Sequence, residues 1–362
     1  MLNKALEVLK IIESKGYTAY LVGGFVRDFV LGKTSADVDV CTNATPKDLQ
    51  NIFPSIKVPF ERYGSVNVIY KKTRFDITTF RMDLEYKDNR FPSNVVYSND
   101  LLVDLKRRDF TMNTLCMNSN GMVLDLLSAT KDINNKIIKT VGLADEKISE
   151  DALRILRAIR FATILNFKLD IDLKNAILKN KKLLDQLSYF RKKQELNKIF
   201  SSTNVIYGLE LIEKLGLSSY LGISFKEVKK TNDPLGIWVQ VNPSDKYQFT
   251  NSEKGYMRSI KRILTDKVID NMELYNYGNY VCYIAAQILG IEEVTIYEKY
   301  DDLPIKILQY IIVKPFEIID LLNMKDKSKL KVIMEDLKNK ILLGKLKNTK
   351  KGIIKYLVDT YC

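Results

Sequence analysis

The sequence predicts an α/β unit over residues 1–140 followed by an all-α remainder, and three observations carry that division. Short runs rich in β-branched residues, bounded by glycine, asparagine or proline, alternate with helical patterns only in the first part. From Ser149 onward apolar residues recur at three- and four-residue spacing, as on amphipathic helices. No proline occurs between Pro92 and Pro234, so nothing in that stretch interrupts a helix by removing its backbone donor. The helical remainder divides into 141–215, 216–290 and a lysine-rich 291–362.

Taken in order, residues 2–16 place charges at Lys4, Glu7, Lys10 and Glu13 around an apolar stripe, which predicts an amphipathic helix and not a cleaved leader. A strand at 18–22 (TAYLV) ends at Gly23-Gly24, where a turn leads into a helix over 25–31. A second strand follows at 38–42, then a helix over 46–53 that takes Pro46 near its first position. Strands are expected at 66–70 and 74–80. Residues 82–106 lack strong periodicity and predict a mobile loop. Strands at 114–118 and 122–126 are expected to flank an Asn120-Gly121 hairpin turn. Ser149 is a good N-cap for a helix running to Leu165, with Glu150 and Asp151 at the positive end of its dipole. On that helix Ala152, Leu156, Ile159 and Thr163 line an inward face, while Asp151, Arg154, Arg157 and Arg160 form a ridge on the remaining surface. Further helices are expected from Lys254 to the end.

The net charge of +13 points to a polyanionic partner, bound through release of its counterions. Eleven lysines against three acids lie between Met324 and Tyr356, whereas eleven of thirteen arginines fall at or before Arg191. Arginine forms planar bidentate contacts with phosphates and bases, and lysine a diffuse cationic surface. Recognition of anions is therefore expected early in the chain and general electrostatic attraction late. There is no histidine, which excludes histidine general bases, Ser-His-Asp triads and histidine metal sites. The four cysteines are scattered without a C-x-x-C pair, consistent with reduced thiols in a cytoplasmic protein. No apolar run reaches the roughly 20 residues of a membrane-spanning helix.

Asp37 and Asp39 alternate along the second strand, so both side chains are expected on one face. Two adjacent carboxylates repel, and a hard divalent cation such as magnesium relieves that repulsion while keeping positions open for substrate phosphates. Asp76 is placed to supply a third carboxylate from a neighbouring strand, an arrangement suited to two-metal in-line displacement. Gly23 and Gly24 let the backbone approach a phosphate, and Arg27, one helical turn on, could meet the same group. On spacing alone, Asp151 and Arg154 fit a solvated i,i+3 pair better, while the excess of arginine beside one acid allows an acceptor next to a donor that imitates the pairing edge of a base.

The run G-G-x-V-R-D followed by D-x-D resembles the nucleotidyltransferase head of the class II tRNA nucleotidyltransferases (CCA-adding enzymes) and of their relatives, the bacterial poly(A) polymerases. Residues 107–113 (RRDFTMN) resemble the family's ribose-recognising motif, and 150–162 (EDALRILRAIRFA) its base-recognising helix. The clear resemblance covers residues 20–165, and 342–348 (LLGKLKN) is similar to the family's C-terminal ending. It implies a polymerase β-like nucleotidyltransferase head at 1–140, a helical neck with base recognition at 141–215, a body at 216–290 and a basic, tRNA-binding tail at 291–362. It implies that Asp37 and Asp39 hold Mg2+, that the Gly23-Gly24 turn and Arg27 contact the triphosphate, and that Arg108 and Asp109 contact the ribose. Asp151 with Arg154 would select C or A, leaving Arg157 and Arg160 for the triphosphate. The activity implied is addition of CCA to tRNA from CTP and ATP.

Three positions depart from the family pattern: Phe190 replaces a glutamate, no glycine occurs within Ser128–Thr130, and Lys147 stands where arginine is common. The loop at 81–96 has full length, which disfavours an enzyme that adds C alone. A poly(A) polymerase or A-adding enzyme shares all three motifs. A non-catalytic RNA-binding protein would have little use for Asp37 and Asp39, and a small-molecule nucleotidyltransferase little use for the basic tail.

Overall fold

The computed structural model describes residues 1–35, 37–54, 57–60, 64–83, 86–87, 91–92 and 95–362. They form two compact units, Met1–Gly222 and Ile223–Cys362.

The first unit opens with α1 (Leu2–Glu13), whose Ala5, Val8, Leu9 and Ile12 are wholly buried. Then come β1 (Ala19–Val22), α2 (Gly24–Val30), β2 (Asp39–Thr42), α3 (Pro46–Ile52), β3 (Lys57–Phe60), β4 (Ser65–Tyr70) and β5 (Thr73–Thr79). Thr45 and Asp48 cap α3 reciprocally, with Pro46 where its missing N–H costs nothing. The described residues of 82–106 are not the irregular loop that the lack of periodicity suggests. They hold β6 (Arg81–Asp83), β7 (Tyr86–Lys87), β8 (Phe91–Pro92), β9 (Val95–Tyr97) and α4 (Leu101–Lys106), in pieces too short to leave a periodic signal. Strands β10 (Cys116–Met117) and β11 (Val123–Leu124) complete a seven-stranded sheet in the order β11-β10-β1-β2-β5-β4-β3. The β10–β11 connection spans five residues, not two. Asn118 organises it by accepting from the N–H groups of Asn120 and Met122 through its side chain.

The helical part of this unit comprises α5 (Ala129–Asn134), α6 (Ala144–Glu150), α7 (Leu153–Leu165), α8 (Ile171–Asn180), α9 (Tyr189–Phe200), α10 (Val205–Lys214) and α11 (Ser218–Leu221). It is not purely helical, because β12 (Ile137–Ile138) pairs in parallel with β13 (Lys168–Leu169). Ser149 does not cap the helix that carries Arg154, Arg157 and Arg160. It lies in the last turn of α6 with its hydroxyl donating to the Asp145 carbonyl, and α7 begins only at Leu153. The expected inward face holds nonetheless, with Ala152, Leu156, Ile159 and Thr163 buried, but the arginine ridge is not a surface feature, because Arg154 and Arg160 are buried as well.

The second unit contains α12 (Pro234–Gln240), α13 (Asn251–Asp266), α14 (Asn271–Leu289), α15 (Glu293–Asp301), α16 (Pro315–Leu321), α17 (Leu330–Leu342) and α18 (Lys350–Tyr361). Trp238 packs against Tyr247 and Phe249 in its core. Helix α14 bends at Gly278, whose φ of 75° other residues adopt at a cost. Among the described residues no helix is long and apolar enough to cross a membrane.

Candidate active site

Three neighbouring strands bring the glycine turn and the carboxylates together. Val22 at the end of β1 lies opposite Asp39, and Asp39 lies opposite Asp76 on the parallel strand β5. Asp37 precedes β2, which begins at Asp39, yet exposure still alternates from Asp37 through Val38, Asp39 and Val40, and the Asp76 N–H donates to the Val38 carbonyl at 3.2 Å. Gly23 has φ of 76°, and a Cβ there would lie 3.3 Å from Asp39 Oδ2 and 3.6 Å from Arg108 Nη1. The glycine thus serves both the turn and the close approach of a carboxylate and a guanidinium.

Partial burial raises the Asp39 carboxyl above its usual range. Arg108 opposes that rise, while Asp76 and Asp37 add to it by repulsion. Asp76 accepts from Arg74 Nε at 3.2 Å. Among the described residues no group of three or more acidic, cysteine or histidine side chains is close enough together to hold a metal ion. An incomplete set of mutually repelling carboxylates suits a hard divalent ion that fills its remaining positions with water and phosphate oxygens.

Beside these acids runs a chain of polar contacts. Arg27, 6% exposed, donates through Nη1 to Asn113 Oδ1 at 2.8 Å and through Nε and Nη2 to Asp28. Asn113 in turn donates to Asp109 Oδ1 at 3.2 Å, which also accepts from the Phe110 N–H. Asp109 Oδ2 accepts from Arg157 Nε at 2.7 Å. Burial would raise the Asp109 carboxyl, but the Arg157 guanidinium and these donors lower it to about 2. Arg108 and Arg107 both bind Asp104, which is wholly buried.

Asp151 stands at the joint between α6 and α7 in extended conformation, with Oδ1 accepting from the Leu153 N–H at 3.0 Å. Burial raises its carboxyl. The Leu153 N–H opposes the rise, as do Arg191, Arg154 and Arg157. Arg154 Nη1 donates to the Lys147 carbonyl and to Glu150, and Lys147 Nζ meets the same glutamate at 3.1 Å. Arg160 is buried against Glu195 of α9 at 3.0 Å, and desolvation lowers the guanidinium to about 10 despite that partner. Arg157 and Arg160 thus have carboxylate partners within the chain, so neither stands as a bare cation.

Four contributors were not singled out from the sequence: Asp104, Asn113, Phe161 and Glu195. Asn113 lies at the end of RRDFTMN, and Phe161 follows Arg160 at i+4 from Arg157, so both had a local signal. Glu195 lies 35 residues from its partner and had none. Of the departures, Ser128 adopts φ of 56°, the left-handed conformation a glycine would take, and Phe190 is 66% exposed. Part of the 81–96 loop lies outside the described residues.

Residues 19–139 match the Poly A polymerase head domain, and 166–227 match the probable RNA and SrmB-binding site of polymerase A. The CCA-adding enzyme of Bacillus licheniformis is 32% identical over 98% of this chain and 97% of its own length. That of Geobacillus thermodenitrificans is 41% identical over 60% of this chain and 54% of its own. The crystal structure of the Bacillus stearothermophilus CCA-adding enzyme in complex with CTP superimposes with a TM-score of 0.85 at 27% identity, covering 98% of this chain and 96% of that one.

Proposed function

The chain belongs to the CCA-adding enzyme family, and from that premise we propose that it adds CCA to the 3′ end of tRNA from CTP and ATP, releasing pyrophosphate. The observation that carries the reading is the register that sets Asp39 between the Gly23 turn and Asp76, with Arg108 3.6 Å from the position of a Gly23 Cβ. Mg2+ held by Asp37 and Asp39, with Asp76 alongside, would supply the Lewis acidity for two-metal nucleotidyl transfer.

The other roles fall to the chain's own groups. The Gly23-Gly24 backbone and Arg27 receive the triphosphate, with Arg157 and Arg160 adding positive potential. Arg108 and Asp109 meet the ribose. Asp151 and Arg154 offer an acceptor and a donor to the base edge, so that G or U would leave buried polar groups unpaired. Residues 1–140 act as the head, 141–215 as the neck, 216–290 as the body and 291–362 as the tail that meets the tRNA backbone. The lysine excess over Met324–Tyr356 supports that last role. The cytoplasm is the compartment we infer, since all four cysteines are free.

Asp37→Ala and Asp39→Ala test the catalytic reading. Turnover is expected to fall at least about a hundredfold while tRNA affinity is kept. Unchanged function in both variants would favour a non-catalytic RNA-binding protein.

A further inference from the structure

Phe161, on α7 between two elements of the nucleotide site, has three guanidinium groups against its ring. The Cζ atom of Arg160 lies 4.2 Å from the ring centroid, that of Arg27 5.3 Å and that of Arg157 5.6 Å. Phe110, which follows Asp109, meets the same ring edge-on at 5.8 Å. Three cations gathered this closely repel one another, and the proximity of Arg157 and Arg27 contributes to the lowered basicity of Arg160. Each arginine has its own partner elsewhere: Asp28 and Asn113 for Arg27, Asp109 for Arg157, Glu195 for Arg160. These partners sit on different elements, and none is shared by all three arginines.

The aromatic ring is common to the three. Its face attracts cations through its quadrupole yet carries no net charge, so it gathers guanidinium groups without neutralising them. A carboxylate at 161 would cancel positive potential, and an aliphatic side chain would leave Asp28, Asp109 and Glu195 to offset the repulsion without the ring's attraction.

We propose that Phe161 is a positioning residue for the nucleoside triphosphate, its ring holding Arg27, Arg157 and Arg160 as one cationic cluster before the nucleotide arrives. The inference rests on the reading that this chain binds CTP and ATP. It assigns Phe161 no contact with the reacting atoms.

The test compares Phe161→Leu, Phe161→Tyr and a series of mono-, di- and trifluorinated phenylalanines at 161 in the full chain with Mg2+. CTP affinity is measured by calorimetry without tRNA, and KM for CTP and for tRNA at steady state. Each ring contact has an energy equivalent to roughly a two- to fivefold change in an equilibrium constant, and its loss lets the cluster disperse before the nucleotide binds. Phe161→Leu is therefore expected to weaken CTP binding and raise its KM about tenfold or more, with KM for tRNA unchanged and Phe161→Tyr close to wild type. Fluorination keeps the ring's shape while draining its face of negative potential, so CTP affinity should fall step by step along the series. Wild-type CTP affinity in the leucine and fluorinated proteins would overturn the proposal. So would a loss confined to leucine with no graded response to fluorine, which would make Phe161 a packing residue only. A wild-type chain that binds no CTP would instead overturn the functional reading beneath it.

Discussion

Replacing Asp109 by asparagine keeps the side chain's shape and removes the charge on which Arg157 and Asn113 converge. The carboxyl is held at about 2 against an ordinary 3.8, a gap that corresponds to about 2 kcal/mol of folding stability at neutral pH. Arg157 is 33% exposed, so water takes over part of its solvation and limits the further loss. The sign follows from a folded pKa below the unfolded one: the stabilisation is complete above about pH 5 and fades as the pH falls towards 2. Asp109→Asn should therefore cost about 2 kcal/mol, by an amount constant from pH 7 to about pH 5 and shrinking below. Denaturant-dependent hydrogen exchange of α7 amides would read this, because those amides report the first unit alone. A cost below about 0.5 kcal/mol, or one that grows as the pH falls, would refute the claim that Arg157 stabilises the Asp109 carboxylate.

Glu195→Leu strands Arg160 in a buried site and should destabilise the first unit by about 3–5 kcal/mol, with Arg160→Met in the same chain restoring most of the loss; hydrogen exchange of α9 amides checks both. Ser128→Gly relieves a left-handed residue whose side chain caps nothing, and should raise stability by about 0.5–1 kcal/mol, read by thermal unfolding. Gly23→Ala sets a methyl 3.3 Å from Asp39 Oδ2 at a φ of 76°, and should lower kcat at least about tenfold while tRNA affinity, measured by filter binding, stays the same.

What the sequence made legible were groups whose placement is fixed by neighbours in the chain. Val22, Gly23 and Gly24 mark the end of a β-branched strand and a turn requiring glycine, and the alternation from Asp37 to Val40 fixes which faces are exposed. Asp76 could be placed on an adjoining strand because both runs are rich in β-branched residues. The break at Asp151 was hidden, since Ser149 and Glu150 suit the last turn of one helix as well as the first turn of another. What ends α6 is local geometry: Asp151 is extended and its carboxylate takes the Leu153 N–H. The strands between Arg81 and Tyr97 span two or three residues each, below the length at which alternation can be read. The ion pair of Arg160 with Glu195 and the meeting of Arg27 with Phe161 are tertiary events, and composition and spacing carry no trace of them.

The most direct test of the central claim is nucleotide addition to a tRNA that ends at its discriminator base. The purified chain is supplied with Mg2+ and CTP alone, ATP alone, or both, and the 3′ ends are sequenced. Addition of CC from CTP and of CCA from the pair, with no addition from ATP alone, is the result expected. Long A tracts from ATP alone would mean a poly(A) polymerase, and A added only to tRNA already ending in CC would mean an A-adding enzyme. No addition under any condition would contradict the catalytic reading of Asp37 and Asp39.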